Sequence, residues 1–166
     1  MPPRDYFDII HKKTASLIAV SASAGAMAAG ASQERVALMH RFGEAVGMAF
    51  QIQDDILDYT RTAHTGKPAN NDLREGKITL PLLAVLERTD GDRRRELLAK
   101  LASCGRDEAA VEYLQRIVEN GGGLTAAAEV MRGYLAKATD MLAGYEGCPA
   151  RSALADVCLN IAERDR

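Results

Sequence analysis

The chain has 166 residues, 47% hydrophobic but only 5% aromatic and without tryptophan, enough for one domain with an aliphatic and alanine-rich core. Its 21 Lys and Arg against 23 Asp and Glu leave a net charge of −2, without the basic excess of nucleic-acid binders. Cys104, Cys148 and Cys158 are odd in number and lack paired metal spacing, and His11, His40 and His64 form no ligand motif, so reduced thiols in the cytoplasm are the expectation.

In chain order, the first residues are polar and hold two prolines, which does not fit a signal peptide. The spacing predicts a first helix over 5–29, ending near Gly30. Within it begins the longest uncharged stretch, 14–33, whose only large apolar members are Leu17, Ile18, Val20 and Met27. Its Ala, Ser and Gly content suits a buried, closely packed helix better than a membrane span.

Ser32 then stands as an N-cap with Gln33 and Glu34 in the first turn. Val36, Met39, Phe42, Val46, Phe50 and Leu57 recur at helical spacing as far as Tyr59, about seven turns. Residues 60–71 read as loop, rich in Thr, Gly, Pro and Asn.

Pro81 suits the first turn of a helix running to about Arg88, and Asp90-Gly91 breaks it. Helices are expected over 92–102, from an Asp107 cap to Asn120, and over 125–145 and 149–164. Gly121-Gly122-Gly123 is a helix stop rather than a phosphate loop, because no strand precedes it and no Gly-Lys-Ser/Thr follows. No segment alternates with period two, and no repeat is evident. The fold class expected is all-α, an orthogonal helix bundle in a single domain.

The run Gln51-Ile52-Gln53-Asp54-Asp55-Ile56-Leu57-Asp58 carries the chemistry. At about 100° per residue, Gln51, Asp54, Asp55 and Asp58 share less than a third of the helix circumference. Like charges four apart repel by a few tenths of a kcal/mol, and by more where half-buried, unless positive charge sits among them. A hard cation such as Mg²⁺, bridged to phosphate oxygens, is one answer, and a solvated acidic face is the other. An EF-hand loop fits poorly, since Ile56 falls where a ligand should be.

The loop beyond brings Lys67 and Lys77 after the stripe, each beside a glycine. Each lysine alone reads as a solvated surface charge. Together with the carboxylates they suit a polyanion held through metal on one side and ammonium groups on the other.

These pieces carry a family resemblance. Lys13-Thr14-Ala15, Gly47-Met48-Ala49-Phe50-Gln51-Ile52-Gln53-Asp54-Asp55-Ile56-Leu57-Asp58, Gly66-Lys67-Pro68 with Asp72-Leu73, and Gly76-Lys77-Ile78-Thr79-Leu80-Pro81 stand in the order found in trans-isoprenyl (polyprenyl) diphosphate synthases. The chain resembles the C-terminal half of that family over residues 5 to about 90, and the wording is most similar to long-chain synthases of quinone side chains.

The resemblance implies a partial bundle of the isoprenoid synthase type. It implies a Mg²⁺-dependent prenyltransferase of isoprenoid biosynthesis, joining isopentenyl diphosphate to an allylic diphosphate. Asp54, Asp55 and Asp58 would hold the metal, while Lys13, Lys67 and Lys77 would bind diphosphate. Thr14 and Gln51 would lie beside the reacting carbons.

Two departures stand out. The family's first aspartate-rich motif and its isopentenyl diphosphate site precede the Lys-Thr helix, whereas only twelve residues precede Lys13 here. Ala69-Asn70-Asn71 stands where the family often has a glycine. The expectation is therefore a chain with little activity alone, forming homo-oligomers or complementing an N-terminal half. A non-catalytic partner subunit is the alternative, and a squalene-type synthase is disfavoured by the lysine loop.

Overall fold

The computed structural model describes residues 2–60 and 69–164, and among these every regular element is helical. The elements are α1 (Pro3–Ile10), a π-helical turn (His11–Ala15), α2 (Ser16–Ala28), α3 (Gln33–Thr60), α4 (Asn71–Arg74), α5 (Leu80–Glu87), α6 (Gly91–Ser103), α7 (Glu108–Asn120), α8 (Gly123–Leu142) and α9 (Pro149–Glu163). The all-α class expected from the sequence is the class found. No described helix is long and apolar enough to cross a membrane. The chain divides into two compact units, one from the described residues of Met1–Tyr6 and Asp54–Glu129, the other from those of Phe7–Gln53 and Val130–Arg166.

In the first unit, Tyr59 at the end of α3 packs with Leu73 of α4, Leu82 and Leu86 of α5, Leu97 of α6, and Val111 and Leu114 of α7. Asp107 caps α7 as its position implied, its side chain accepting the Ala109 N–H at 3.0 Å. The triple glycine does more than stop α7. Gly122 takes a positive φ of 70°, and a Cβ on Gly123 would lie 2.3 Å from the Pro81 carbonyl oxygen. The chain therefore turns and starts α8 against α5, two residues earlier than the spacing predicted.

In the second unit, α2 lies directly on α3. A Cβ on Gly43 would meet the Ile18 carbonyl oxygen at 2.7 Å, and one on Gly47 the Ala15 Cα at 2.6 Å. Ala15 and Ala19, fully buried, fill the facing positions. The expectation of a small-residue helix packed closely holds for this side alone. Leu17, Val20 and Met27 are 71%, 56% and 66% exposed and face outward, while Ile18 is half-buried beside Gly47. A helix apolar all round is normally covered on every side.

The single helix expected over 5–29 is also interrupted. At His11–Ala15 it widens, and the Ser16 N–H reaches back five residues to the His11 carbonyl. Neither proline nor glycine marks the place. The widened turn coincides with the residues held against α3, Thr14 by a hydrogen bond and Ala15 by the gap at Gly47. Such turns occur often at functional sites.

Candidate functional site

The stripe expected on one helix is on one helix: Gln51, Asp54, Asp55 and Asp58 all belong to α3. Asp55 and Asp58 are only 4% and 6% exposed, which rules out a solvated acidic face for these two. Asp54 is half-buried. A carboxylate taken out of water needs hydrogen bonds to remain charged.

Asp55 and Asp58 both accept such bonds. The Tyr6 hydroxyl donates to Asp55 Oδ2 at 2.7 Å, and Tyr6 itself is 3% exposed. Asp58 Oδ2 accepts the backbone N–H of Asp72 at 2.9 Å, in the first turn of α4. The Asp58 carbonyl takes the Asn70 N–H at 2.7 Å, so Asp58 holds the incoming segment twice.

Asn70 explains the departure at 69–71. Its φ of 61° is the left-handed conformation that glycine adopts without strain and asparagine tolerates. Asparagine adds an anchor there, its amide donating to Gln115 Oε1 at 2.7 Å. Arg74 then bonds the Ala69 carbonyl and pairs with Glu108 at 2.5 Å, fixing α4 to α7. The sequence read 60–71 as loop and gave no sign of the short helix that begins at Asn71.

Lys77 is exposed and pairs with acids of its own segment, Glu75 at 2.5 Å and Asp72 at 3.3 Å. The hydrogen bond to Glu75, followed by that to Asp72, holds its ammonium above the usual lysine range. Lys67 lies outside the described residues. Behind the stripe, burial pushes the Tyr59 phenol well above its ordinary range, reinforced by the negative charges of Asp58, Asp72 and Asp55. The neighbouring Thr79 hydroxyl acts in the opposite sense, although neither hydroxyl meets the geometry of a formed hydrogen bond.

In the second unit, Thr14 Oγ1 donates to Gln51 Oε1 at 2.8 Å, and Gln51 is buried. Lys13, its neighbour on the widened turn, is exposed. Thr14 and Gln51, chosen separately by motif, are thus a bonded pair.

Sequence reasoning missed Tyr6. The available signal was a tyrosine sharing a helix face with Ile10, since a buried phenol must find a partner for its hydroxyl. What could not be read was that the partner lies 49 residues away.

For a metal, the stripe offers only carboxylate oxygens, the donors of hard cations. Among the described residues no three His, Cys, Asp or Glu side chains stand close enough together to hold an ion by themselves. An ion here needs oxygens from phosphate or water as well. Mg²⁺, which keeps waters and shares substrate phosphates with one or two carboxylates, fits that requirement.

Comparison with known proteins agrees with the motif order. A family model described as polyprenyl synthetase matches residues 2–119. The chain is 40% identical over 167 residues to heptaprenyl diphosphate synthase component 2 of Geobacillus stearothermophilus, covering 99% of this chain and 50% of that one. It is 36% identical over 162 residues to a short chain isoprenyl diphosphate synthase of Methanothermobacter thermautotrophicus, covering 97% and 49%. A solved polyprenyl synthase from Caulobacter crescentus CB15, complexed with calcium and isoprenyl diphosphate, superposes with a TM-score of 0.90 at 33% identity, covering 100% of this chain and 51% of that one. The chain spans about half the length of these relatives.

Proposed function

Since this chain belongs to the polyprenyl synthetase family, we propose that it supplies the diphosphate-gripping part of a prenyltransferase that extends an allylic diphosphate with isopentenyl diphosphate. The allylic carbon–oxygen bond breaks and pyrophosphate leaves. The double bond of isopentenyl diphosphate attacks the cation, and loss of a proton completes the new allylic product. Long-chain products for quinone side chains suit relatives named heptaprenyl and nonaprenyl diphosphate synthases.

Asp54, Asp55 and Asp58 would hold Mg²⁺. When bound, that ion supplies positive charge against the oxygens of the departing diphosphate. Lys13, Lys67 and Lys77 bind phosphate oxygens as compact ammonium charges. Thr14 fixes the Gln51 amide, whose dipole stabilises the carbon that turns positive. Asp58 has a second duty, because Asp72 already bonds one of its oxygens and the segment carrying Lys77 follows directly.

The observation that carries this reading is the burial of Asp55 and Asp58 with dedicated hydrogen bonds on the stripe that the family motif marks. Like charges buried on one helix face repel one another unless positive charge joins them, and a bound cation would supply it.

The other aspartate-rich motif would come from the half of the fold that these residues do not span. One relative is named as component 2 of its synthase, and the outward-facing Leu17, Val20 and Met27 supply an apolar surface for such packing. Cys104, Cys148 and Cys158 are free thiols, which suits a reducing compartment, and we place the protein in the cytoplasm.

Calorimetric titration with inorganic pyrophosphate tests the reading. Binding should require Mg²⁺ and weaken in Asp54→Ala. Binding that ignores Mg²⁺ would defeat it. Turnover by these residues should be slight until the half that the relatives also span is supplied, and robust elongation without it would refute the need for that half.

A further inference from the structure

We infer that Tyr6 is a positioning residue for the diphosphate site, orienting the Asp55 carboxylate through the hydroxyl bond to Oδ2; this rests on the function proposed above. At 2.7 Å the bond has the length of a well-formed O–H···O hydrogen bond. Both groups are buried, Tyr6 at 3% and Asp55 at 4% exposure, so water does not compete for either.

The geometry suits positioning. A carboxylate on a helix can rotate about two side-chain torsions, and a metal ligand that rotates loses affinity. Tyr6 reaches Asp55 from α1, a separate element, and its ring is packed. The hydroxyl therefore pins one oxygen and with it the plane of the carboxylate. Ligating carboxylates are commonly held by such outer hydrogen bonds, and loss of one lowers metal affinity by about 10–100-fold.

A plain structural stitch between α1 and α3 would use the same bond, so the test must separate the two. Calorimetric titrations with Mg²⁺ and inorganic pyrophosphate are run on four forms: unaltered, Tyr6→Phe, Asp55→Asn and the double variant. Tyr6→Phe should bind about tenfold more weakly, with no further loss when added to Asp55→Asn. Equal binding by Tyr6→Phe and the unaltered chain makes the bond a stitch and overturns the proposal. So does an equal loss in both backgrounds, which would show action elsewhere than through Asp55.

If the phenylalanine variant fails to fold, 4-fluorophenylalanine placed at position 6 keeps the ring and fills the place of the hydroxyl without a proton to donate. It should bind Mg²⁺ and pyrophosphate about tenfold more weakly than the unaltered chain, and equal binding would overturn the inference. Failure of the unaltered chain to bind Mg²⁺ and pyrophosphate would instead sink the functional reading, and this proposal with it.

Discussion

Asp58 caps a helix to which it does not belong: its carboxylate on α3 accepts the Asp72 N–H in the first turn of α4 at 2.9 Å. The second and third acids of the stripe therefore have different structural duties, Asp55 being bonded to Tyr6 on α1 and Asp58 to the segment that follows.

Asp58→Ala should accordingly lower stability by about 1–2 kcal/mol, the scale of a lost cap at a half-buried N–H. Asp58→Asn, whose amide oxygen can still accept, should lose less. Asp54→Ala, at a half-buried position, should leave stability nearly unchanged while weakening pyrophosphate binding. Urea denaturation of the three variants checks the order, and equal losses for Asp54→Ala and Asp58→Ala would contradict it.

Two glycines in helices should respond in opposite directions to the same substitution. Gly47→Ala gains helix propensity, yet its Cβ would stand 2.6 Å from the Ala15 Cα, so backbone must move and the net loss should be about 1–3 kcal/mol. Gly133, within α8, has nothing within 4 Å of a built Cβ. Gly133→Ala should stabilise by about 0.5–1 kcal/mol. Thermal melts of both variants beside the unaltered chain decide the matter.

The same contrast shows how far the sequence could be read. The stripe on α3 was legible because four residues make about one turn, and the Asp107 cap because capping is local. Motif order marked Thr14 and Gln51, though not that they bond to each other. The close packing expected of the small residues at 14–33 is found at Gly43 and Gly47, where Ala15 and Ala19 are buried, whereas the burial expected of the whole helix does not extend to Leu17, Val20 and Met27. The widened turn at His11–Ala15 and the Tyr6–Asp55 bond depend on distant residues and leave no local mark.

Alkaline pH should unfold the protein through Tyr59. Burial, with Asp58, Asp72 and Asp55 nearby, raises the folded-state pKa of this phenol above its ordinary 10.0. Between those two values the folded state binds more protons than the unfolded state, so stability falls as pH rises. The contribution is intact below pH 10.0 and is lost as pH climbs past it. Burial of the Cys104 and Cys158 thiols adds a loss of the same sign, starting nearer their ordinary 9.0. Tyr59→Phe should flatten the upper part of the curve and cost little at neutral pH, because the hydroxyl it removes has no well-formed partner. Urea midpoints measured across this range provide the check, and an unchanged slope in Tyr59→Phe would exclude the phenol as the cause.

Self-association should follow from the outer side of α2. Leu17, Val20 and Met27 are spaced three and seven residues apart, which puts them on one helix face, and each is more than half exposed. Burying a side chain of this kind contributes about 1.5–3 kcal/mol, so two such faces meeting could hold copies of the chain together at moderate concentration. Leu17→Ser combined with Met27→Ser should shift the population toward monomer. It should leave the urea midpoint of the monomer almost unchanged, because neither side chain is in the core. Light scattering across a concentration series measures both forms. A clean monomer from the unaltered chain at every concentration would contradict the expectation, and equal association by the double variant would place the contact on another face.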